Sequence, residues 1–445
     1  MRRGSHPWLG LSLTCLMLAA TASVASAQPW LSDRKLAEGS GLRLGDLELH
    51  PGLSAEGGYT NNVYYAEDDE VGSAILRVAP HLFLSTLGTE RSGEDQGEVP
   101  GMLKFRGGLS ANLQHYFADL APETDFGADA DLNLQIAPER PVSLILSENF
   151  NRSFRPFNDP VGQPDGGGSD APNYARYTEV AGAKVLFQTG GGLLQAGLGY
   201  RFGYSWYEDD SFADNDNLTH TVVLNGAWEF LPKTAIFYDA SFSHHNYTEN
   251  DEPPSNPTSP ELFDSNQIGS RIGINGAITS RIGATAAVGY AVGFFDGGDE
   301  FEGLTLNAEV RFTPSPISEL GLGFERAYSS AYQGNFVLRN QGYARLRFFF
   351  GGAFVLASKL AIELLDFGVD PLQGERSDTR YSADISGEYR FVDWLALTAQ
   401  FSALIDDTDF VSRIELPVED GDPIVFEDPA KFTEFEAWLG LRAFF

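Results

Sequence analysis

The chain has 445 residues, with 62 acidic against 30 basic side chains and a formal net charge of −32. That excess of acid excludes the basic footprint a nucleic-acid partner would need. A hydrophobic share of 42% and an aromatic share of 13% exclude a disordered polyelectrolyte.

The first element reads as a Sec-type signal over residues 1–27. Arg2 and Arg3 precede an apolar stretch from Trp8 to Ala20, and Ala25-Ser26-Ala27 offers small residues for cleavage before Gln28. The single cysteine, Cys15, lies inside it, where Thr14 and Ser12 suit a lipoprotein signal poorly. The mature chain is therefore expected to hold no disulfide. Residues 28–44 read as a short periplasmic leader. No later segment has the roughly eighteen apolar residues that a spanning helix requires.

From residue 45 onward the period is two. Leu103, Phe105, Leu109 and Leu113 alternate with Lys104, Arg106, Ser110, Asn112 and Gln114. Phe126 to Ile136, Leu194 to Trp206 and Tyr381 to Tyr389 repeat the pattern, which is the signature of strands with one oily and one polar face. The runs are 45–60, 73–87, 102–117, 124–137, 142–153, 176–188, 192–207, 218–230, 235–248, 264–278, 282–295, 301–312, 318–329, 335–350, 353–366, 379–391, 395–407 and 430–445. That is about eighteen strands in one domain, 45–445, the even number expected of a bacterial barrel. Sixteen is the alternative, because 142–153 and 318–329 alternate weakly. The predicted fold is an all-β, antiparallel up-and-down transmembrane barrel.

The joints support it. Short turns such as Ala137–Pro141, Thr189–Gly192, Leu231–Thr234 and Ser280-Arg281 take turns with long polar loops such as Val63–Gly72, Phe154–Ala175, Glu249–Asp264 and Thr408–Asp428. One long joint, Gly88–Gly101, falls on the short-turn side. Aromatics gather near strand ends, as in Tyr200 to Tyr207 and Phe348 to Phe350, where a membrane interface would place them.

The closing strand has Phe435, Ala437, Leu439, Leu441, Ala443 and Phe445 on one face and Glu434, Glu436, Gly440 and Arg442 on the other. A chain ending this way resembles bacterial outer-membrane barrels, and the resemblance implies that Phe435, Leu439, Leu441 and Phe445 carry the insertion signal read by the barrel-assembly machinery. Its partner across the seam should be the 45–60 strand. A second resemblance is narrower. The opening strand ends in Tyr59-Thr-Asn61-Asn62-Val63, and Ala74 to Pro80 with His81-Leu-Phe-Leu84 follows an acidic loop. Residues 45–87 resemble an outer-membrane β-barrel porin family whose members accompany exopolysaccharide or capsule export in proteobacteria and myxobacteria. It implies polysaccharide-export components as partners, and an Asn62 that ends the first strand and orders the first outside loop; an ordinary turn asparagine is the simpler reading.

Charge on the polar faces is mixed. Arg311, Arg339, Arg345, Arg347 and Arg380 either form a basic track for anionic solutes or pair with acids across strands. The outside loops, such as Glu67-Asp-Asp-Glu70, Glu208-Asp-Asp210 and Glu419-Asp-Gly-Asp422, hold most of the surplus acid. They read as solubilising, or as weak divalent-cation sites that bridge to lipopolysaccharide. Catalysis is not expected. Ser243, His245 and Asp239 share an inward face, His115 points outward without a serine on its own strand, and His244 and His245 point to opposite faces. Gly191, Gly192, Gly197, Gly199 and Gly203 sit within a strand pattern and precede no helix, so they read as allowing close strand approach and curvature and not as a phosphate loop. No cofactor or metal-ligand set is legible.

The expected role is a channel in the outer membrane, in contact with its lipid and lipopolysaccharide. Polysaccharide export is the first reading, a general or solute-selective porin the second, and a structural or adhesive surface barrel the third.

Overall fold

The computed structural model describes residues 41–68, 70–86, 102–118, 124–138, 140–153, 175–189, 192–209, 213, 215–248, 263–331, 334–369, 374–416 and 424–445. The signal, most of the leader, the joint Gly88–Gly101 and nearly all of Phe154–Ala175 lie outside these residues.

The strands, in chain order, are β1 Leu42–Leu44, β2 Leu47–Thr60, β3 Ser73–Thr86, β4 Leu103–Tyr116, β5 Thr124–Ile136, β6 Val142–Ser153 and β7 Arg176–Gln188. Then come β8 Leu194–Tyr207, β9 Asn217–Leu231, β10 Thr234–Tyr247, β11 Ser265–Ala277, β12 Ile282–Phe295, β13 Phe301–Ser315 and β14 Ser318–Ser330. The last are β15 Phe336–Phe350, β16 Phe354–Phe367, β17 Ser377–Val392, β18 Leu395–Asp407, β19 Val411–Leu416, β20 Ile424–Pro429 and β21 Phe432–Phe444.

β2 to β18 each pair antiparallel with their sequence neighbours, and β21 pairs with both β18 and β2. Eighteen strands therefore close into one ring. The weakly alternating runs at 142–153 and 318–329 are both full members, β6 and β14. Closure of the ring leaves none of its eighteen strands as an edge, the condition for spanning lipid with strands, because backbone groups then find partners on both sides.

Side chains sort inside-out. Leu53, Leu76, Leu109, Leu198, Ile272, Leu322 and Leu360 are exposed on the outer face, while Ser54, Glu56, Arg77, Gln114, Arg380 and Arg442 are buried within. An apolar outer face and a polar inner face are the arrangement of an outer-membrane barrel. On β21, Phe435, Leu439, Leu441 and Phe445 are exposed outward, and Glu434 and Arg442 are buried. The seam runs from Gly52 opposite Phe444 to Thr60 opposite Glu436, as the alternation predicts.

Two local differences appear. Thr408–Asp428 reads as polar loop, yet it contains the hairpin of β19 and β20, a separate two-stranded sheet. The runs Val411 to Leu416 and Ile424 to Phe426 carry enough β-branched and aromatic residues to pair. The end of the leader is also folded: Leu42–Leu44 doubles back on Leu47–Leu49, with Gly45 in the left-handed region at φ 63°.

Candidate functional site: a charged inner wall in two states of burial

The inner wall differs on its two sides. At the seam, β2, β3, β17, β18 and β21 carry charges sealed from solvent. Arg77 Nε donates to Glu56 Oε2 at 2.7 Å and its Nη2 lies 2.6 Å from the same oxygen, with side-chain exposures of 0% and 4%. Thr398 Oγ1 donates to Glu56 Oε1 at 3.0 Å. Glu56 and Thr398 are not neighbours, since Gly440 on β21 stands between them in register. A Cβ on Gly440 would collide with Glu56, so the glycine is the window through which the side chain crosses. Gly58 likewise makes room for the Trp438 ring, and that ring lies 3.9 Å beneath the Arg77 guanidinium.

Arg442 repeats the device. It crosses Ala396, which has no solvent exposure, to reach Glu388 Oε2 at 2.5 Å, and Arg390 Nε donates to the other oxygen of Glu388 at 2.8 Å. Both guanidinium groups lie over the buried Phe444 ring, at 4.2 and 5.0 Å. Nearer the loops, Arg380 pairs with Asp406, and Arg376 with Asp378 at 2.8 Å; all four are buried.

The opposite wall, β10 to β15, is open. Glu309 is its hub. Arg345 Nη2 donates to it at 2.6 Å, Tyr343 Oη at 2.9 Å, and Arg311 Nη2 lies 3.6 Å away. Here too glycines serve as windows: Gly323 on β14 stands between Tyr343 and Glu309, and Gly321 between Arg345 and Arg311. Arg311 also lies 3.8 Å from Glu319, Arg339 lies 3.4 Å from Glu325, and Arg271 lies 3.1 Å from Asp239. The Arg311 and Arg345 side chains are 49% and 41% exposed.

The five arginines singled out from sequence are thus dispersed. Arg311 and Arg345 share Glu309, Arg339 is held by Glu325, and Arg380 lies buried on the seam side. The Arg347 guanidinium lies 5.1 Å over the Phe349 ring. Arg311, Arg339, Arg345 and Arg380 each stand beside a carboxylate. Sequence reasoning missed Glu56, Asp378 and Asp406 as inward acids. Glu56 was readable from its alternation with Leu53, Ala55 and Tyr59; the two aspartates lie at strand ends, where the pattern gives way to loop composition.

The seam is also clamped at the loop rim. Asn62 is fully buried; its Nδ2 donates to Ala66 O at 2.7 Å and Thr433 O at 3.2 Å, and its Oδ1 accepts from Ala66 N at 3.0 Å. Asn61 Oδ1 accepts from Phe435 N at 2.6 Å, and its Nδ2 donates to Glu70. The pair therefore orders the first loop and ties it to β21, more than a turn asparagine does. On the same rim, the hydrogen bond to Asp407 at 2.9 Å holds the Lys431 ammonium above its ordinary pKa.

The Ser243, His245 and Asp239 set is not assembled into a relay. Ser243 bonds Thr221 at 3.0 Å, His245 Nδ1 bonds Thr219 at 3.0 Å, and Asp239 holds Arg271. His115 faces outward and bonds Thr124 at 2.8 Å. Among the described residues, no group of three or more His, Cys, Asp or Glu is placed to hold a metal. The wall is chemically a lattice of matched charges. It can orient water and hydrated ions.

No family model and no curated protein matches the sequence. Among solved structures, the chain is similar to the outer membrane protein OpdK of Pseudomonas aeruginosa at 11% identity, covering 89% of this chain and 99% of that one, with a TM-score of 0.45. It is similar to OpdQ of the same organism at 10% identity, covering 90% and 98%, with a TM-score of 0.47. It is also similar to the FrpB iron transporter of Neisseria meningitidis at 10% identity, covering 91% and 82%, with a TM-score of 0.46.

Proposed function

We propose that the chain is an outer-membrane diffusion channel for small hydrophilic solutes. The carrying observation is the open wall of β10 to β15, where partly exposed, paired charges line the inside of an eighteen-strand ring. Barrels of 16–18 strands are wide enough to leave an aqueous channel. The charge pairing supports a weakly selective lumen, with Glu309, Arg311 and Arg345 setting the local balance of sign. On this reading residues 1–27 direct Sec export, and outward-facing Phe435, Leu439, Leu441 and Phe445 guide insertion by the assembly machinery.

Planar-bilayer recording tests it. The purified barrel should give steps of conductance with weak ion preference, and absence of conductance in the inserted barrel overturns the reading in favour of a structural or adhesive role. Strong anion preference would restore the basic track of Arg311, Arg339, Arg345, Arg347 and Arg380. Polysaccharide export remains the finer alternative and rests on the resemblance of residues 45–87 alone. A deletion strain with normal surface polysaccharide but slowed small-solute uptake selects the diffusion channel; loss of polysaccharide selects export.

A further inference from the structure

The outer face of the barrel holds a row in which three polar side chains, which the lipid-facing pattern does not call for, continue from a phenylalanine. Phe202 on β8, His220 on β9, His244 on β10 and Asn266 on β11 stand opposite one another in register. They share the outer face, because Val222, Phe242 and Ile268, two residues away along β9, β10 and β11, are exposed there. The row lies close to the loop ends of β9, β10 and β11.

His220 and His244 are direct cross-strand partners. Such pairs have Cβ atoms about 4.5–5.5 Å apart, close enough for two imidazoles to share one ion at about 2.0–2.1 Å from each nitrogen. Both rings are oriented from behind. His244 Nδ1 lies 3.1 Å from Asn266 Oδ1, and His220 Nδ1 lies 2.6 Å from Tyr200 Oη. Asn266 Oδ1 can only accept, so this contact suits the neutral His244 tautomer with its proton on Nδ1 and its lone pair on Nε2. The Tyr200 oxygen can accept from His220 Nδ1 in the same way. A ring nitrogen tied to an outer oxygen while the other stays free is how metal-bound histidines are prepared. Among the described residues, Nε2 of neither ring has a hydrogen-bond partner. His220 is exposed and His244 half-buried, so the site opens to the interface.

We propose that His220 and His244 form a surface site for a borderline transition-metal ion, Zn²⁺ or Cu²⁺, bound through both Nε2 atoms, with water or lipid phosphate oxygen completing the shell. Imidazole suits these ions, whereas the acidic loops suit Ca²⁺ and Mg²⁺. The site is independent of whether the barrel conducts.

The test is Cu²⁺ titration of the untagged full-length barrel in zwitterionic detergent, read by pulsed electron paramagnetic resonance. Coordination by two imidazoles from one equivalent of Cu²⁺, retained in excess Ca²⁺ and displaced by Zn²⁺, is expected. His220→Gln and His244→Gln should each reduce the signal to one imidazole, and His115→Gln and His245→Gln should leave it intact. Heat-modifiable gel mobility shows that each variant is folded. Asn266→Ala, which keeps both ligands, should weaken binding about tenfold. Oxygen-only coordination, loss of the ion to Ca²⁺, or a two-imidazole signal that survives His220→Gln overturns the proposal.

Discussion

The seam wall and the wall of β10 to β15 are built by the same device and do different work. In both, an inward glycine lets a side chain reach over one strand to a partner on the next: Gly440 beneath Glu56, and Gly323 beneath Tyr343. In both, arginine meets glutamate. Burial separates them. Arg77 and Glu56 are sealed, whereas Arg311 and Arg345 are nearly half exposed. Removing one member of a sealed pair leaves an unpaid desolvation cost on the other. On the open wall the arginines are bathed in water and salt while the Glu309 they share is 13% exposed, and these groups change the potential of the lumen more than the stability of the fold. The seam wall is therefore a fastening where the two ends of the chain meet, and the open wall is the surface a solute would encounter.

The largest effect that would break this comparison is at the fastening. Arg77→Ala should cost about 3–5 kcal/mol, because Glu56 is left buried without its counter-charge, held by Thr398. The double variant Arg77→Met/Glu56→Leu should recover most of that. Urea unfolding of the reconstituted barrel measures both, and a single-variant loss below about 1 kcal/mol would show that the seam charges are not sealed. Gly440→Val should cost about 1–3 kcal/mol by crowding Glu56 off Thr398, read by the same unfolding curves. Asn62→Ala removes one of two side-chain links to Thr433 O, leaving that of Asn61 at 3.3 Å, and should cost about 1–2 kcal/mol; earlier proteolytic nicking between residues 63 and 72 would register it independently. The smallest stability effect belongs to the open wall. Glu309→Gln should shift unfolding by less than about 1 kcal/mol. It should still move the reversal potential in a salt gradient toward anions, as Arg311 and Arg345 lose their shared counter-charge, and Arg345→Gln should move it the other way. An unchanged reversal potential in both would remove Glu309 from the conduction path.

Much of the frame was legible because lipid imposes a period. Leu53, Leu109 and Leu441 must face outward wherever strands cross a bilayer, so alternation assigns the faces and about eighteen strands, and barrel closure then sets β21 against β2. The weak runs, β6 and β14, show the limit. Glu148 and Arg152 on β6 share the outward parity of Leu144 and Leu146, so alternation by itself underrates the strand, and neighbours on both sides supply the missing signal. The hairpin of β19 and β20 was hidden for the opposite reason, a short apolar pattern inside an acidic stretch. The charged wall was legible only as a list of inward arginines and glutamates.

What the amino-acid sequence determines by itself is therefore what a local period can encode: an all-β chain, antiparallel strands, one oily and one polar face, and a closing strand with Phe435 and Leu439 outward. Tertiary structure alone decides which charges are partners and which are sealed. Glu56 and Thr398 lie 342 positions apart in the chain and meet only because ring closure places Gly440 between them. Partnership across a glycine window depends on register between strands that are distant in sequence, and burial depends on what the closed ring packs against that wall. No periodicity along one strand carries either quantity.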